Sequence, residues 1–279
     1  EGARGEGARG EGARATSARV EVAAPKAAIV INDATSMRIE ALARAFGAEV
    51  FRAETGEANV VGLAASLREK GYVVRILGEG SNGGNITHPS SVRDPLATLG
   101  ALLKLLLLRD GPGGEGLFHA WTRLSGQAGL YSPDFGLDDL VASLPRFATT
   151  SVFETRAALR VRSTDHAALK GRYGAIFARE WSSRAAELER RFGVVAWEAF
   201  ASKGRAETRV GADFAASGSG GLRIALQDAR GAPKAFIWMR GSGTESVFRV
   251  MADVEGGTPE DEAYLLDWHT SMVREADAM

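Results

Sequence analysis

A glycine-rich turn between two apolar, strand-like runs carries the residue types that an anion site needs. The segment 236–250 reads FIWMRGSGTESVFRV. A phosphate dianion requires several converging donors, such as a guanidinium fork, hydroxyls, and backbone N–H groups that no Cβ obstructs. The predicted donors are Arg240, Ser242, Gly243 and Thr244, with Arg249 returning on the outgoing run. The pattern favours a phosphate-binding hairpin over a flexible surface loop.

A second glycine-rich stretch has the opposite charge. Residues 76–85 read ILGEGSNGGN and continue a strand-like run at 71–77. Glu79 and Ser81 stand two residues apart in an extended turn, so their side chains point the same way and can exchange hydrogen bonds with the hydroxyls of a polyol. The same composition also fits a linker that binds no ligand.

The sequences of these two loops and their order along the chain resemble those of the alpha-D-phosphohexomutase superfamily, the phosphoglucomutases and phosphomannomutases. The third domain of that family carries a G-E-x-S-G sugar-binding loop, and the fourth carries an R-x-S-G-T-E-P phosphate-binding loop. The resemblance covers residues 26–279 and includes 29–59 and 140–145. It implies sugar contacts by Glu79 and Ser81, and phosphate contacts by Arg240, Ser242, Gly243, Thr244 and Arg249.

The activity that the resemblance implies is an intramolecular phosphotransfer between hexose 1-phosphate and hexose 6-phosphate, with glucose as the expected sugar. The phosphoserine loop and the Mg²⁺ loop of the family have no counterpart here, because residues 87–91, 138–139 and 260–262 fit turns or helix starts. We therefore expect the C-terminal half of a mutase, with no catalytic residue, metal site or cofactor of its own. The phosphohexose would be its ligand, upstream catalytic domains would hold Mg²⁺, and the chain alone would be inactive.

Three departures from the family pattern concern the site. Ser246 replaces the usual proline, Asn82 is inserted in the sugar loop, and residues 56–59 lack a lysine that the family often has. A cationic substrate contact is therefore missing or supplied elsewhere. Two alternatives to a mutase fragment stay open. One is a non-catalytic phosphosugar-binding or regulatory module, and the other is a structural interaction protein that uses the N-terminal repeat.

The elements that would position these loops follow from hydrophobic periodicity and helix end signals. Strands are predicted at 27–32, 49–52 and 72–77, and helices at 36–46 and 59–70. This alternation implies a largely parallel sheet, which binds ligands at the carboxyl ends of its strands. Further along, the sequence predicts a long amphipathic helix at 166–192, strands at 222–227, 235–239 and 246–254, and a helix opened by residues 258–260.

These elements predict an α/β protein in two parts. A layered α/β/α domain with a mixed or parallel sheet is expected at 26–135, followed by a linker at 136–165. An α+β domain, TATA-binding-protein-like in architecture, is expected at 166–279. Residues 1–25 contain EGARG repeats without a large apolar side chain and are expected to form a disordered tail.

Composition excludes several functional classes. The 279 residues carry a formal net charge of -1, so no basic surface for nucleic acid is predicted. The apolar run 96–108 is shorter than the roughly 20 residues of a membrane span and contains Lys104, so we predict a buried helix and no membrane insertion. The absence of cysteine excludes disulfides and thiolate metal sites, and it fits a cytoplasmic protein.

Isolated histidines and aromatic residues are assigned structural roles. The histidines are too scattered in sequence for a metal site and are expected at helix caps or on the surface; they are His88, His119, His166 and His269. The tryptophans expected in the core are Trp181, Trp197, Trp238 and Trp268, and the expected packing anchors are Phe118, Trp121 and Tyr131.

Overall fold

The computed structural model describes residues 26–79, 84–151, 153–241 and 247–279. Within them the chain is a mixed α/β protein with one largely parallel and one antiparallel sheet. The expected tail at 1–25 lies outside the described residues.

The first sheet has four strands in the order β2-β1-β3-β4. Its strands are β1 (Ala27–Asn32), β2 (Glu49–Ala53), β3 (Val73–Gly78) and β4 (Ile86–Thr87). β1 pairs in parallel with β2 and β3, and β4 is an antiparallel edge strand. The predicted parallel unit is confirmed, with boundaries shifted by one residue.

Two helices connect these strands, α1 (Arg38–Ala45) and α2 (Glu57–Glu69). Apolar residues of α2, among them Val60 and Leu67, pack with Val30 and Val74 of the strands in one buried cluster. The helix starts after Gly56, whose φ of 140° favours glycine. The turn before α2 is therefore fixed in a conformation that other residues rarely adopt.

The helix predicted at 96–108 forms as α3 (Pro95–Leu107), but the prediction that it is buried is wrong. None of its residues is buried, and Leu96 and Leu107 are 79% and 70% exposed. Asp94 caps it by accepting from the backbone N–H of Ala97, and Pro95 follows the cap. The helix therefore forms because of its N-terminal cap and its helix-forming residues. Its leucines make few packing contacts with the other described residues.

A small aromatic cluster covers the end of this helix. It involves α4 (Leu117–Leu124) and α5 (Leu137–Ala142) and contains Phe118, Trp121, Phe135 and Leu140, with Tyr131 packed against them. The predicted packing role of these aromatic residues is confirmed.

The second sheet is antiparallel throughout its described pairings. Its strands are β5 (Phe147–Thr149), β6 (Ala158–Leu159), β7 (Ala196–Lys203), β8 (Ala206–Arg209), β9 (Gly221–Gln227), β10 (Pro233–Gly241) and β11 (Phe248–Glu255). Their order is β5-β11-β10-β9-β7-β8, and β6 also pairs with β11. β7 and β8 were not predicted, and β5 and β6 lie within the segment predicted as a linker.

Two helices pack against this sheet, α6 (His166–Phe192) and α7 (Pro259–Ala278). Gly193 ends α6 with a φ of 69°, and the side chain of Thr258 caps α7. Trp268 is buried in the core that these helices share with the sheet, and Trp181 and Trp197 pack at its margin. No helix in the described part of the chain is long and apolar enough to cross a membrane.

Candidate functional site

Three carboxylates lie where the parallel strands of the first sheet end. Asp33 follows β1, Glu54 follows β2, and Glu79 follows β3. Strands that run in parallel bring their carboxyl ends to one edge, where sheets of this kind bind ligands. The sequence predicted only Glu79 at this edge, although the same rule applied to β1 and β2 would have found the other two.

Glu79 is 6% exposed and is held on both carboxylate oxygens. Its Oε1 accepts a hydrogen bond of 3.0 Å from the backbone N–H of Gly56, and its Oε2 lies 3.6 Å from Nη1 of Arg93. The side chain of Glu79 is therefore oriented by the turn before α2 and by a neighbouring guanidinium. Ser81, predicted beside it, lies outside the described residues.

Arg240 lies near the end of β10 and faces the first sheet. It follows the alternation of that strand, in which Phe236 and Trp238 pack with Met37, while Ile237 and Met239 face the helices. The Nε of Arg240 donates to Oε1 of Glu54 over 3.2 Å. Both side chains are part-exposed, 24% for Arg240 and 18% for Glu54.

Arg249 lies directly opposite Arg240 in the antiparallel pair of β10 and β11. Directly opposed residues of such a pair project from the same face, so the two guanidinium-bearing side chains share the face that meets the first sheet. The other predicted phosphate contacts, Ser242, Gly243 and Thr244, lie outside the described residues.

One three-residue turn contacts both predicted loops. Glu54 pairs with Arg240, and Gly56, two residues later, donates to Glu79. Glu54 also exchanges two hydrogen bonds with Gly204 of the β7–β8 turn, because its N–H donates to the carbonyl and its Oε2 accepts from the N–H. Two Cα steps span at most about 7.6 Å. The structure thus brings Glu79 and Arg240 to one side of the molecule.

Asp33 links the two sheets from a buried position. Its Oδ2 accepts from Nε1 of Trp238 over 3.0 Å, and its Oδ1 accepts from the N–H and hydroxyl of Thr55. Burial raises the pKa of Asp33, while the hydrogen bonds from Trp238 and Thr55 and the charge of Arg240 act in the opposite direction. A Cβ on Gly221 would lie 1.7 Å from Oδ2, so glycine is required there.

Lys170 and His166 lie one turn apart at the start of α6, close to this site. The fully buried Nζ of Lys170 donates to the carbonyls of Gly218 and Gly220. Burial lowers the pKa of Lys170 to about 7. The charge of Arg240 lowers this pKa further, whereas the charge of Asp33 acts to raise it. The ring of His166 packs against Gly241, at the end of β10.

Two histidines depart from the prediction of surface or capping positions. His269 is fully buried, where it bonds to the hydroxyl of Tyr173 and the carbonyl of Trp238. Burial lowers the pKa of His269 to about 4. His166 is half-buried between Gly241 and Phe248. Each of the two lies on a helix that packs on the second sheet. The spacing of the four histidines in the sequence did not indicate that these two would be buried.

One concave region of the described surface lies away from this edge. A surface depression of about 590 Å³ is lined by residues of 155–161 with Arg274 and Asp277, and contains none of the predicted site residues. Among the described residues, no group of three or more His, Asp and Glu side chains is arranged to hold a metal ion.

Comparison with known proteins gives no further guidance, since no protein-family model and no curated protein matches this chain significantly.

Proposed function

We propose that this chain recognises a phosphorylated hexose and is the recognition half of a phosphohexomutase. The observation that carries the proposal is the turn 54–56, which contacts Arg240 on one side and Glu79 on the other. A cation for the phosphate and a carboxylate for the ring hydroxyls thereby flank a single short segment. A phosphorylated sugar offers a phosphate for the first group and hydroxyls for the second.

The arrangement of the two arginines supports an anion at the phosphate end. Like charges directly opposite each other across two strands are destabilising. Arg240 and Arg249 occupy such positions. Glu54 offsets part of this repulsion through Nε of Arg240, which leaves the Nη edge of Arg240 without a hydrogen bond to any described residue. A phosphate dianion at that edge would be attracted by both guanidinium groups.

The roles follow from the need to hold one sugar in two orientations. In the proposed mutase, the clamp of Arg240, Arg249 and residues 242–244 grips the phosphate that is not reacting. Glu79 accepts from ring hydroxyls. In this proposal, phosphoryl transfer and Mg²⁺ belong to upstream domains, because the sequence carries neither the serine loop nor the metal loop of the family. The fold we propose for this cytoplasmic enzyme is an α/β/α third domain followed by a TATA-binding-protein-like fourth domain.

Calorimetry with glucose 1-phosphate tests the proposal directly. Replacing Arg240 by Ala should weaken binding by about 1.5–3 kcal/mol, because charged hydrogen bonds to the phosphate are lost. Arg230→Ala is the matched control, since Arg230 is an exposed arginine in the turn before β10. An unchanged dissociation constant for Arg240→Ala would remove Arg240 from the site, and absence of binding by the unmodified chain would refute the proposal.

Turnover separates a mutase fragment from a non-catalytic phosphosugar-binding module. We expect no conversion of glucose 1-phosphate by this chain with Mg²⁺ and a hexose bisphosphate primer. We expect conversion when the chain is joined to the sequence that precedes it in its gene. Binding without conversion in the joined protein would favour the non-catalytic module.

A further inference from the structure

The segment before α3 contributes a guanidinium to the sugar end of the site. The backbone N–H of Arg93 donates to Oε1 of Glu57, and its Nε donates to Oε2 of the same carboxylate, over 3.3 and 3.2 Å. Glu57 is the first residue of α2, directly after Gly56. Two bonds to one carboxylate fix the direction of the arginine side chain.

The outer edge of this guanidinium lies beside Glu79. Nη1 of Arg93 is 3.6 Å from Oε2 of Glu79, whereas Oε1 is occupied by the N–H of Gly56. The Glu79 side chain is 7% exposed and that of Arg93 is 34% exposed. A ligand that approaches the carboxylate from solvent therefore meets the guanidinium beside it.

The chemistry of this pair matches neighbouring hydroxyls of a sugar ring. A carboxylate only accepts hydrogen bonds, and a guanidinium only donates them, whereas each hydroxyl does both. Two adjacent hydroxyls can therefore donate to Glu79 and accept from Arg93 at once. Arg93 supplies a cation beside Glu79 from the segment before α3.

We propose that Arg93 is a further ligand-binding residue of this site and that, with Glu79, it reads a vicinal diol of the hexose. The inference rests on the proposed function. It assigns Arg93 to the ring hydroxyls and Arg240 to the phosphate, so the two arginines should respond differently to changes in the ligand.

Calorimetry with altered ligands tests this division. Arg93→Gln should lower the affinity for glucose 1-phosphate about tenfold, because this is the loss expected when one charged hydrogen bond to the ligand is removed. The 2-, 3- and 4-deoxy glucose 1-phosphates each lack one ring hydroxyl. For the analogue that lacks the hydroxyl bound by Arg93, the Arg93→Gln variant should lose little or no affinity relative to the unmodified chain. This is the non-additivity expected of two groups in contact. Its affinity for inorganic phosphate should be unchanged.

Three further variants control for folding and charge. Arg93→Lys keeps the charge without the planar fork, so it should recover part of the lost affinity. Glu57→Gln keeps Arg93 but weakens its support, and should cost less than Arg93→Gln. Arg75→Gln removes an exposed arginine of β3 and should leave binding unchanged. Thermal unfolding of each variant shows whether it is folded.

The outcomes distinguish this inference from the proposed function. Equal affinity of the unmodified chain and Arg93→Gln for glucose 1-phosphate would overturn the role of Arg93 and leave the function standing. An equal loss for every deoxy analogue, or a loss for inorganic phosphate, would assign Arg93 to the phosphate and also overturn it. If the unmodified chain binds no hexose phosphate, both fail.

Discussion

The buried charges around the carboxyl edge of the first sheet each have defined partners. Asp33 is held by Trp238 and Thr55, and Lys170 by two backbone carbonyls. Burying a charge without such partners is costly, so these residues are expected to be sensitive to substitution and to pH. The part-exposed Glu54 pairs with Arg240. At the scale of single residues, the site is a set of charges held by hydrogen bonds rather than an open patch.

Lys170 should make stability depend on pH above neutrality. Burial lowers its pKa in the folded chain from 10.5 to about 7. Between these values the unfolded chain binds more protons than the folded one, so the free energy of unfolding should rise with pH, by at most about 1.4 kcal/mol per pH unit. Urea unfolding of the unmodified chain and of Lys170→Met, from pH 7 to 9.5, checks this.

The difference between the two proteins isolates Lys170 from other titrating groups. Lys170→Met should show a smaller rise over this range, whereas Lys70→Met, at an exposed lysine after α2, should keep the full rise. Parallel curves for the unmodified chain and Lys170→Met would show that the ammonium is charged in the folded protein throughout.

At the scale of elements, α6 and α3 differ in how much tertiary packing and how much local sequence stabilise the helix. α6 runs for 27 residues, buries Leu169, Tyr173 and Phe177 on one face, and ends where Gly193 turns left-handed. α3 has an N-cap and strong helix formers but no buried residue. Tertiary packing therefore stabilises α6, while α3 depends more on the intrinsic preference of its residues.

A pair of glycine substitutions should have opposite effects on stability. Gly193 has a φ of 69°, so Gly193→Ala should cost about 1 kcal/mol. Gly100 lies inside α3, and a Cβ there would meet nothing within 4 Å. Gly100→Ala should stabilise by up to about 1 kcal/mol. Urea unfolding measures both, and a loss of stability in Gly100→Ala would contradict the view that α3 is limited by propensity.

At the scale of the whole molecule, hydrogen bonds between distant residues join the two sheets. Asp33 bonds to Trp238, Glu54 bonds to Gly204, and the N–H of Met37 donates to Asp253 of β11 over 2.9 Å. Gly221 leaves room for the carboxylate of Asp33 against β9. These contacts hold the end of β10 against the turn after β2, where Arg240 meets Glu54.

Two tryptophan substitutions can distinguish the contribution of the hydrogen bond between Trp238 and Asp33 to the free energy of unfolding from the contribution of ring packing. Trp238→Phe removes the donor to buried Asp33, which should cost about 1–3 kcal/mol beyond the loss of ring volume. Trp268→Phe is the matched control, since Trp268 is also buried but its Nε1 has no hydrogen-bond partner among the described residues. Urea unfolding compares them. Equal destabilisation would mean that the bond between Asp33 and Trp238 contributes nothing beyond packing.

Much of the fold was predictable because its signals are local. Strands β1, β2, β3, β9, β10 and β11 and helices α1, α2, α3 and α6 were each predicted within a few residues of their observed bounds, and the start of α7 was predicted as well. Their apolar periods and the capping residues Asp165 and Thr258 act within one turn or one strand. β7 and β8 were missed, since their exposed and buried residues alternate weakly.

The sequence by itself determined most of the helices and strands, the glycine-terminated turns, and the position of Glu79 and Arg240 at strand ends, because each depends on neighbours along the chain. Only the tertiary structure decided that Asp33 meets Trp238, 205 residues away, that Arg93 lies beside Glu79, and that α3 is exposed. Those outcomes depend on which surfaces meet in the folded chain. A hydrophobic pattern shows that a residue can be buried, but not which distant residue buries it.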